Sequence, residues 1–331
     1  MADIVAPESA LIAATPSVAR RRADRRRFLA MAGCLPTAFS HAAPLAASDR
    51  GTATFVLIHG AWHSSFCWGE VAERLRARGH RVLAIDLPGH GIHAKYPKSY
   101  FEQGQSGFDT EPSPLGQVTL EVAAGAVVAA LRQVQGQNRP ILVGHSLGGT
   151  VITRAAELAP ELIGQLVYLT AFLPTRIPSP AALYDLPEAR TEHRVPLTIG
   201  DPGKIGAVRY NPRGNLQYLK QLHSVFYQDV PLERFLPYST ALSPDLPLPL
   251  WVGETRVSVD RWGSIPRTYI HCTEDRAIPP ALQLKMIADA DAMTPENRCE
   301  VLTLRSSHSP FVSHVEELTS FLLSFDRRLK P

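Results

Sequence analysis

Cysteine is scarce in this chain, with four among 331 residues. None forms a Cys-x-x-Cys pair or joins a Cys/His cluster, which argues against a disulfide scaffold or a structural metal. Long apolar runs are missing too. No stretch reaches the roughly 18 residues that span a bilayer, so stable membrane insertion is not expected. Excess positive charge is confined to residues 1–47, which hold six arginines and three acids; the remaining 28 basic and 28 acidic residues balance. The body of the chain therefore offers no general field for nucleic acid. Internal repeats and low-complexity tracts are absent.

What is present starts with a basic leader. Arg20-Arg21-Arg22-Ala23-Asp24-Arg25-Arg26-Arg27-Phe28-Leu29 precedes a modestly apolar, small-residue stretch from Ala30 to Ala47. This looks like a twin-arginine export signal over residues 1–47, with Leu45-Ala46-Ala47 as the cleavage site. Asp24 stands where Ser or Thr is usual, and Pro36 and His41 dilute the apolar segment. The expectation is a periplasmic or secreted protein, or a cytoplasmic one if translation starts downstream, with Met31 as one candidate.

The rest, 48–331, reads as one α/β domain. Thr54–Ile58 is short, continuous, apolar and β-branched, the pattern of a strand buried on both faces. A helix from Trp68 to Arg78 and a strand from Arg81 to Asp86 follow, a spacing that makes a right-handed crossover in a parallel sheet. Residues 93–117 have no periodicity, yet carry Tyr96, Tyr100, Phe101 and Phe108. A loop this long and aromatic is expected to be functional rather than disordered. Further helices are expected over 120–134 and from Thr150 to Pro160, with strands at Ile141–Val143 and Gln165–Thr170. Between about 171 and 262 prolines are frequent, strands are not discernible, and only Leu216–Phe226 is convincingly helical. This segment is expected to be an inserted cap. Sheet order resumes with strands at Arg267–Cys272 and Glu300–Leu304, and with helices at Pro280–Ala288 and Ser313–Phe325.

The chemistry is concentrated at Gly144-His145-Ser146-Leu147-Gly148. Strand, then Gly-x-Ser-x-Gly, then helix is the setting of a nucleophile elbow, a turn so tight that only very small residues fit beside the serine. In a parallel sheet with helices on both faces, ligand chemistry gathers at the C-terminal strand ends. Ser146 lies at one such end, Asp275 just past a second and His308 just past a third. Glu274 neighbours Asp275 and is an alternative acid; His314 is an alternative base. His90 and His93 have no partners at ligand spacing, so no metal is expected.

The chain resembles the α/β-hydrolase superfamily, and within it the branch of small esterases and hydroxynitrile lyases. The resemblance runs from about residue 53 to 325. It rests on Leu57-Ile58-His59-Gly60-Ala61-Trp62, His145-Ser146-Leu147-Gly148-Gly149, Cys272-Thr273-Glu274-Asp275-Arg276-Ala277-Ile278-Pro279 and Ser307-His308-Ser309-Pro310. It implies an α/β-hydrolase fold, with about six mostly parallel strands flanked by helices. It also implies Ser146 as nucleophile, His308 as base, Asp275 as its orienting acid, and the amides of Ala61 and Leu147 as oxyanion donors. No cofactor is required. Hydroxynitrile lyase relatives carry lysine after the catalytic histidine and a hydroxylated residue in the oxyanion loop; Ser309 and Gly60 stand there instead. The expected activity is therefore hydrolysis of small-molecule carboxylic esters. Alternatives are lyase-like, amide or lactone cleavage, or a ligand receptor on the same fold. Trp62, His63, Tyr100 and Phe101, with Phe226 and Tyr227, are expected to line an apolar substrate pocket. Sequence leaves the oligomeric state undetermined.

Overall fold

In a computed structural model describing residues 52–190 and 197–326, six strands pair side by side, every pair parallel. In chain order the main-domain elements begin with β1 (Thr54–Ile58), α1 (Gly69–Ala77), β2 (Arg81–Ile85), α2 (Leu120–Gln133), β3 (Ile141–His145), α3 (Gly148–Leu158) and β4 (Gln165–Leu169). The strands stand in the order β2-β1-β3-β4, extended beyond β4 by two strands from later in the chain. Residues 1–47, where an export signal is expected, lie outside the described residues.

Continuous apolar sequence explains the central strands. β1, β3 and β4 are buried at every position, as strands covered by helices on both faces must be. α2 starts where the Thr119 side chain accepts the Val122 N–H, and turns Leu120, Ala123, Ala124, Val127, Val128 and Leu131 inward.

After β4 the chain leaves the sheet for almost a hundred residues. It makes the short turns α4 (Pro180–Leu183) and α5 (Pro202–Ile205), then β5 (Ala207–Arg209), α6 (Leu216–Phe226), α7 (Leu232–Ser239), β6 (Asp245–Pro247) and α8 (Leu248–Trp251). α6 matches its expected bounds, capped by the Asn215 side chain on Tyr218 N–H. The expectation of no strands here is corrected: β5 and β6 form an antiparallel pair. Three-residue strands closing on Pro247 leave too short a signature to be read. α7 was hidden by Pro237 inside it.

The chain returns to the sheet as β7 (Arg267–Cys272), α9 (Pro280–Met293), β8 (Glu300–Leu304), α10 (Pro310–Ser313) and α11 (Val315–Asp326). β7 pairs with β4, and β8 with β7. α9 runs past its expected end at Ala288; α11 matches the closing helix expected over Ser313–Phe325 to within two residues, and the short α10 before it was not expected. All six strand ends point the same way, and the loops after β1, β3, β4, β7 and β8 bring the site together.

Candidate active site

Ser146 sits between β3 and α3 with φ of +53°, a left-handed conformation that costs a non-glycine residue about 1–3 kcal/mol. The sequence around it is built for that turn. A Cβ on Gly148 would stand 2.7 Å from the His59 carbonyl oxygen, and one on Gly60 would stand 2.7 Å from Ser146 Cβ. Two more non-glycine residues at strand ends share the left-handed region: Trp62 after β1, at +59°, and Thr170 after β4, at +37°. Strain is thus concentrated where three parallel strands end.

His308, after β8, and Asp275, after β7, are joined. His308 Nδ1 lies 2.7 Å from Asp275 Oδ2, with both side chains buried. A carboxylate accepts, so Nδ1 carries the proton and Nε2 is the basic nitrogen. Asp275 is fixed in turn: Oδ1 accepts the Ala277 and Ile278 amides at 2.7 and 2.9 Å, and Thr170 Oγ1 donates to Oδ2. Gln283 of α9 secures the loop, donating to the Ile278 carbonyl at 2.7 Å and accepting the Cys272 amide at 3.1 Å. Glu274, the alternative acid, points away to pair with Arg305 at 2.6 Å. His314, the alternative base, pairs with Asp229 at 3.5 Å.

Three other buried histidines shape the loops. His59 Nδ1 donates to the Gly60 carbonyl at 2.8 Å, while Nε2 accepts the Leu87 amide at 3.0 Å. That hydrogen bond fixes the 60–61 peptide plane; because a trans peptide opposes its C=O and N–H, it also aims the Ala61 N–H away from His59. His63 Nδ1 donates to the Ala61 carbonyl at 2.7 Å, and its Nε2 accepts from the Tyr227 hydroxyl at 2.5 Å. His145 Nε2 donates to the His308 carbonyl at 2.9 Å, helping to fix that loop. Burial holds all three neutral, lowering His59 to about 3, His63 to about 4 and His145 well below its ordinary value.

Ser146, His308, Ala61 and Leu147 line one chamber, with Trp62, Phe172, Tyr184, Phe226 and Trp251 completing most of its wall. Among the described residues, neither the Ala61 nor the Leu147 amide has a hydrogen-bond acceptor. No direct hydrogen bond joins the Ser146 hydroxyl to His308 there. The arrangement is chemically specific: a hydroxyl, an imidazole held by a carboxylate, and two unpaired N–H groups meet in an apolar enclosure.

Not every expected pocket residue is in it. Trp62 is; His63 stands one layer behind, beside Tyr227. Tyr100 and Phe101 are a correction, since neither lines the chamber. Tyr100 is buried among Tyr96, Phe101 and Phe108 with the Arg213 guanidinium over its ring, and Phe101 is 62% exposed. Their rings anchor the 93–117 loop instead. Sequence reading missed Thr170, whose position just beyond β4 was the one available sign, and Gln283, inside α9, which carried none. Cys67, Cys272 and Cys299 are free thiols, and burial raises all three above the ordinary value. Among the described residues no cluster of three metal-ligating side chains occurs.

This sheet order, with a strained serine after β3 and an acid–imidazole pair after β7 and β8, defines an α/β hydrolase. The model of the Alpha/beta hydrolase family matches residues 55–320, and the chain belongs to that family, in its esterase branch. It is 31% identical over 273 residues to the pyrethroid hydrolase of Sphingobium wenxiniae, covering 82% of this chain and 86% of that one. Methylesterase 7 of Arabidopsis thaliana is 29% identical over 275 residues, covering 81% and 94%. The crystal structure of a pyrethroid hydrolase from Sphingobium faniae superposes with a TM-score of 0.66 at 28% identity, covering 84% of this chain and 98% of that chain.

Proposed function

We propose that the protein is a serine hydrolase that cleaves carboxylic esters of small apolar or aromatic substrates through an acyl-enzyme on Ser146. The carrying observation is the convergence of Ser146, the Asp275-held imidazole of His308 and the unpaired Ala61 and Leu147 amides on one chamber. Relatives named as methylesterases and pyrethroid hydrolases support ester chemistry.

In this reading His308 Nε2 takes the Ser146 proton as the oxygen attacks the ester carbonyl. Serine–imidazole contacts are commonly loose before substrate binds and tighten in the complex. The oxyanion of the tetrahedral intermediate accepts from Ala61 and Leu147 N–H, each donor worth about 100- to 1,000-fold in turnover. His308 then protonates the departing alcohol, and water, activated by the same nitrogen, releases the acid. Asp275 keeps Nδ1–H in place and stabilises the imidazolium. The 171–262 segment acts as a cap that excludes water, and residues 1–47 direct export.

The test is turnover of p-nitrophenyl acetate and butyrate by wild type and Ser146→Ala. Loss of at least about 10⁴-fold in kcat is expected for the variant. Undiminished turnover in Ser146→Ala, with ligand-induced thermal stabilisation, would instead identify a receptor.

A further inference from the structure

Three consecutive residues in the turn between α6 and α7 reach three different loops of the site. Tyr227 donates through its hydroxyl to His63, which holds the loop presenting the Ala61 amide. Gln228 Nε2 donates to the Glu274 carbonyl at 2.5 Å, one residue before Asp275. Asp229 Oδ2 accepts the Ser307 amide at 2.8 Å, one residue before His308. Two neighbouring bonds tie the same parts together. Arg276 donates to the Ser224 carbonyl at 3.1 Å, and Ser307 Oγ to the Phe226 carbonyl at 3.4 Å.

The turn carrying these side chains is itself fastened. The Tyr227 amide donates to the His223 carbonyl at 2.8 Å, and the Val230 amide to the Tyr227 carbonyl at 2.9 Å. His223 Nε2 closes it by donating to the Val230 carbonyl at 2.7 Å. Ser307, by contrast, lies past the end of edge strand β8, where no sheet neighbour can take its N–H. The Asp229 carboxylate supplies that acceptor, and a charged acceptor makes the stronger bond. His314 Nδ1 stands 3.5 Å from the same oxygen. The other oxygen, Oδ1, is buried with no hydrogen-bond partner among the described residues. Such an orphan costs about 1–3 kcal/mol, which stability alone does not explain.

We infer that Asp229 is a positioning residue for His308, and that the turn at 227–229 sets the loops of Ala61, Asp275 and His308 against one another. Asp229 touches no reacting atom. It acts through the Ser307 peptide, holding the imidazole where Nε2 can reach Ser146. This inference rests on the serine-hydrolase reading and adds to it a residue remote in the chain from all three members of the triad.

The test is steady-state hydrolysis of p-nitrophenyl butyrate, with kcat corrected for the folded fraction from urea melts. Asp229→Ala removes the acceptor. Because displacing a reacting group by about 1 Å can cost about 100-fold, its kcat should fall by about 10- to 100-fold, with KM within about twofold. Asp229→Asn keeps an oxygen for the Ser307 amide and should stay within about threefold of wild type. Should the alanine variant not fold, Asp229→Ser, whose shorter side chain withdraws the acceptor, makes the same comparison. A folded alanine or serine variant with wild-type kcat overturns the positioning role. So do equal losses in the alanine and asparagine variants, which would tie the effect to charge rather than to the Ser307 bond. Either result, with hydrolysis still abolished by Ser146→Ala, leaves the hydrolase standing. Hydrolysis that survives Ser146→Ala removes the reading beneath it.

Discussion

Tyr227 donates its hydroxyl to Nε2 of His63 across 2.5 Å, although the two residues are 164 positions apart. The other nitrogen of His63 holds the Ala61 carbonyl, so the end of α6 is hydrogen-bonded through one imidazole to the loop that presents the Ala61 amide. Removing the hydroxyl leaves a buried acceptor unpaired, at a cost of about 1–3 kcal/mol. Tyr227→Phe should lower kcat about tenfold, less than loss of an oxyanion donor, with KM within twofold. His63→Asn keeps an N–H toward Ala61 and should outperform His63→Leu. Steady-state kinetics beside urea melts would separate this from plain destabilisation, which would leave kcat of the folded fraction unchanged.

Thr170 accepts a left-handed backbone to place its hydroxyl on Asp275. Thr170→Val keeps the shape and deletes that charge-assisted bond, worth about 1.5–3 kcal/mol. A fall in kcat of about tenfold is expected, largely restored in Thr170→Ser. Wild-type kinetics in the valine variant would mean that the Ala277 and Ile278 amides orient the carboxylate unaided.

Arg209 and Asp245 bridge β5 and β6 with no side-chain exposure, at 2.7 and 2.8 Å, and Arg209 also donates to the carbonyls of Phe108 and Glu111. One side chain thus fastens the aromatic loop to the small sheet. Asp245→Asn should destabilise by about 3–5 kcal/mol in urea melts, because it strands a buried guanidinium. A loss below 1 kcal/mol would show that the carbonyl contacts alone suffice.

The neutral histidines predict a pH window. His59, His63 and His145 have folded pKa values below the ordinary 6.5. Their stabilisation is complete above that value, where both states are neutral. It is lost as pH falls, because the unfolded chain takes up protons that the folded one refuses until about pH 4 or 3. Each histidine contributes about 1.4 kcal/mol per pH unit in this range, or roughly 4 kcal/mol for the three between pH 7.5 and 5.5. Urea melts at pH 7.5, 6.5 and 5.5 measure it; a flat profile would contradict the buried neutral forms.

Much of the sheet was legible because burial on both faces demands continuous apolar strands. β1, β7 and β8 have the bounds that their sequences suggested, and β3 and β4 differ by a residue or two. The placement of Ser146, Asp275 and His308 at one end of the sheet was legible for a related reason. A tight elbow needs glycines next to Ser146, and chemistry at strand ends narrows the search to the residues just after β7 and β8. The segment after β4 was not, since its structure depends on partners rather than period. β5 exists because β6 lies beside it, and α7 continues through Pro237 with Phe235 buried in the core. Tyr100 and Phe101 misled because an aromatic loop has the same composition whether it lines a cavity or anchors itself.

Sequence by itself determined the parallel core, the serine turn and which residue types stand at the strand ends, since these follow from local sterics and from burial along a few consecutive residues. Tertiary structure alone showed that Asp275 pairs with His308 while Glu274 pairs with Arg305, and assigned the buried histidines their hydrogen-bond partners. Those outcomes turn on distances between residues remote in the chain, where a rotation about a single side-chain bond separates a hydrogen bond from none.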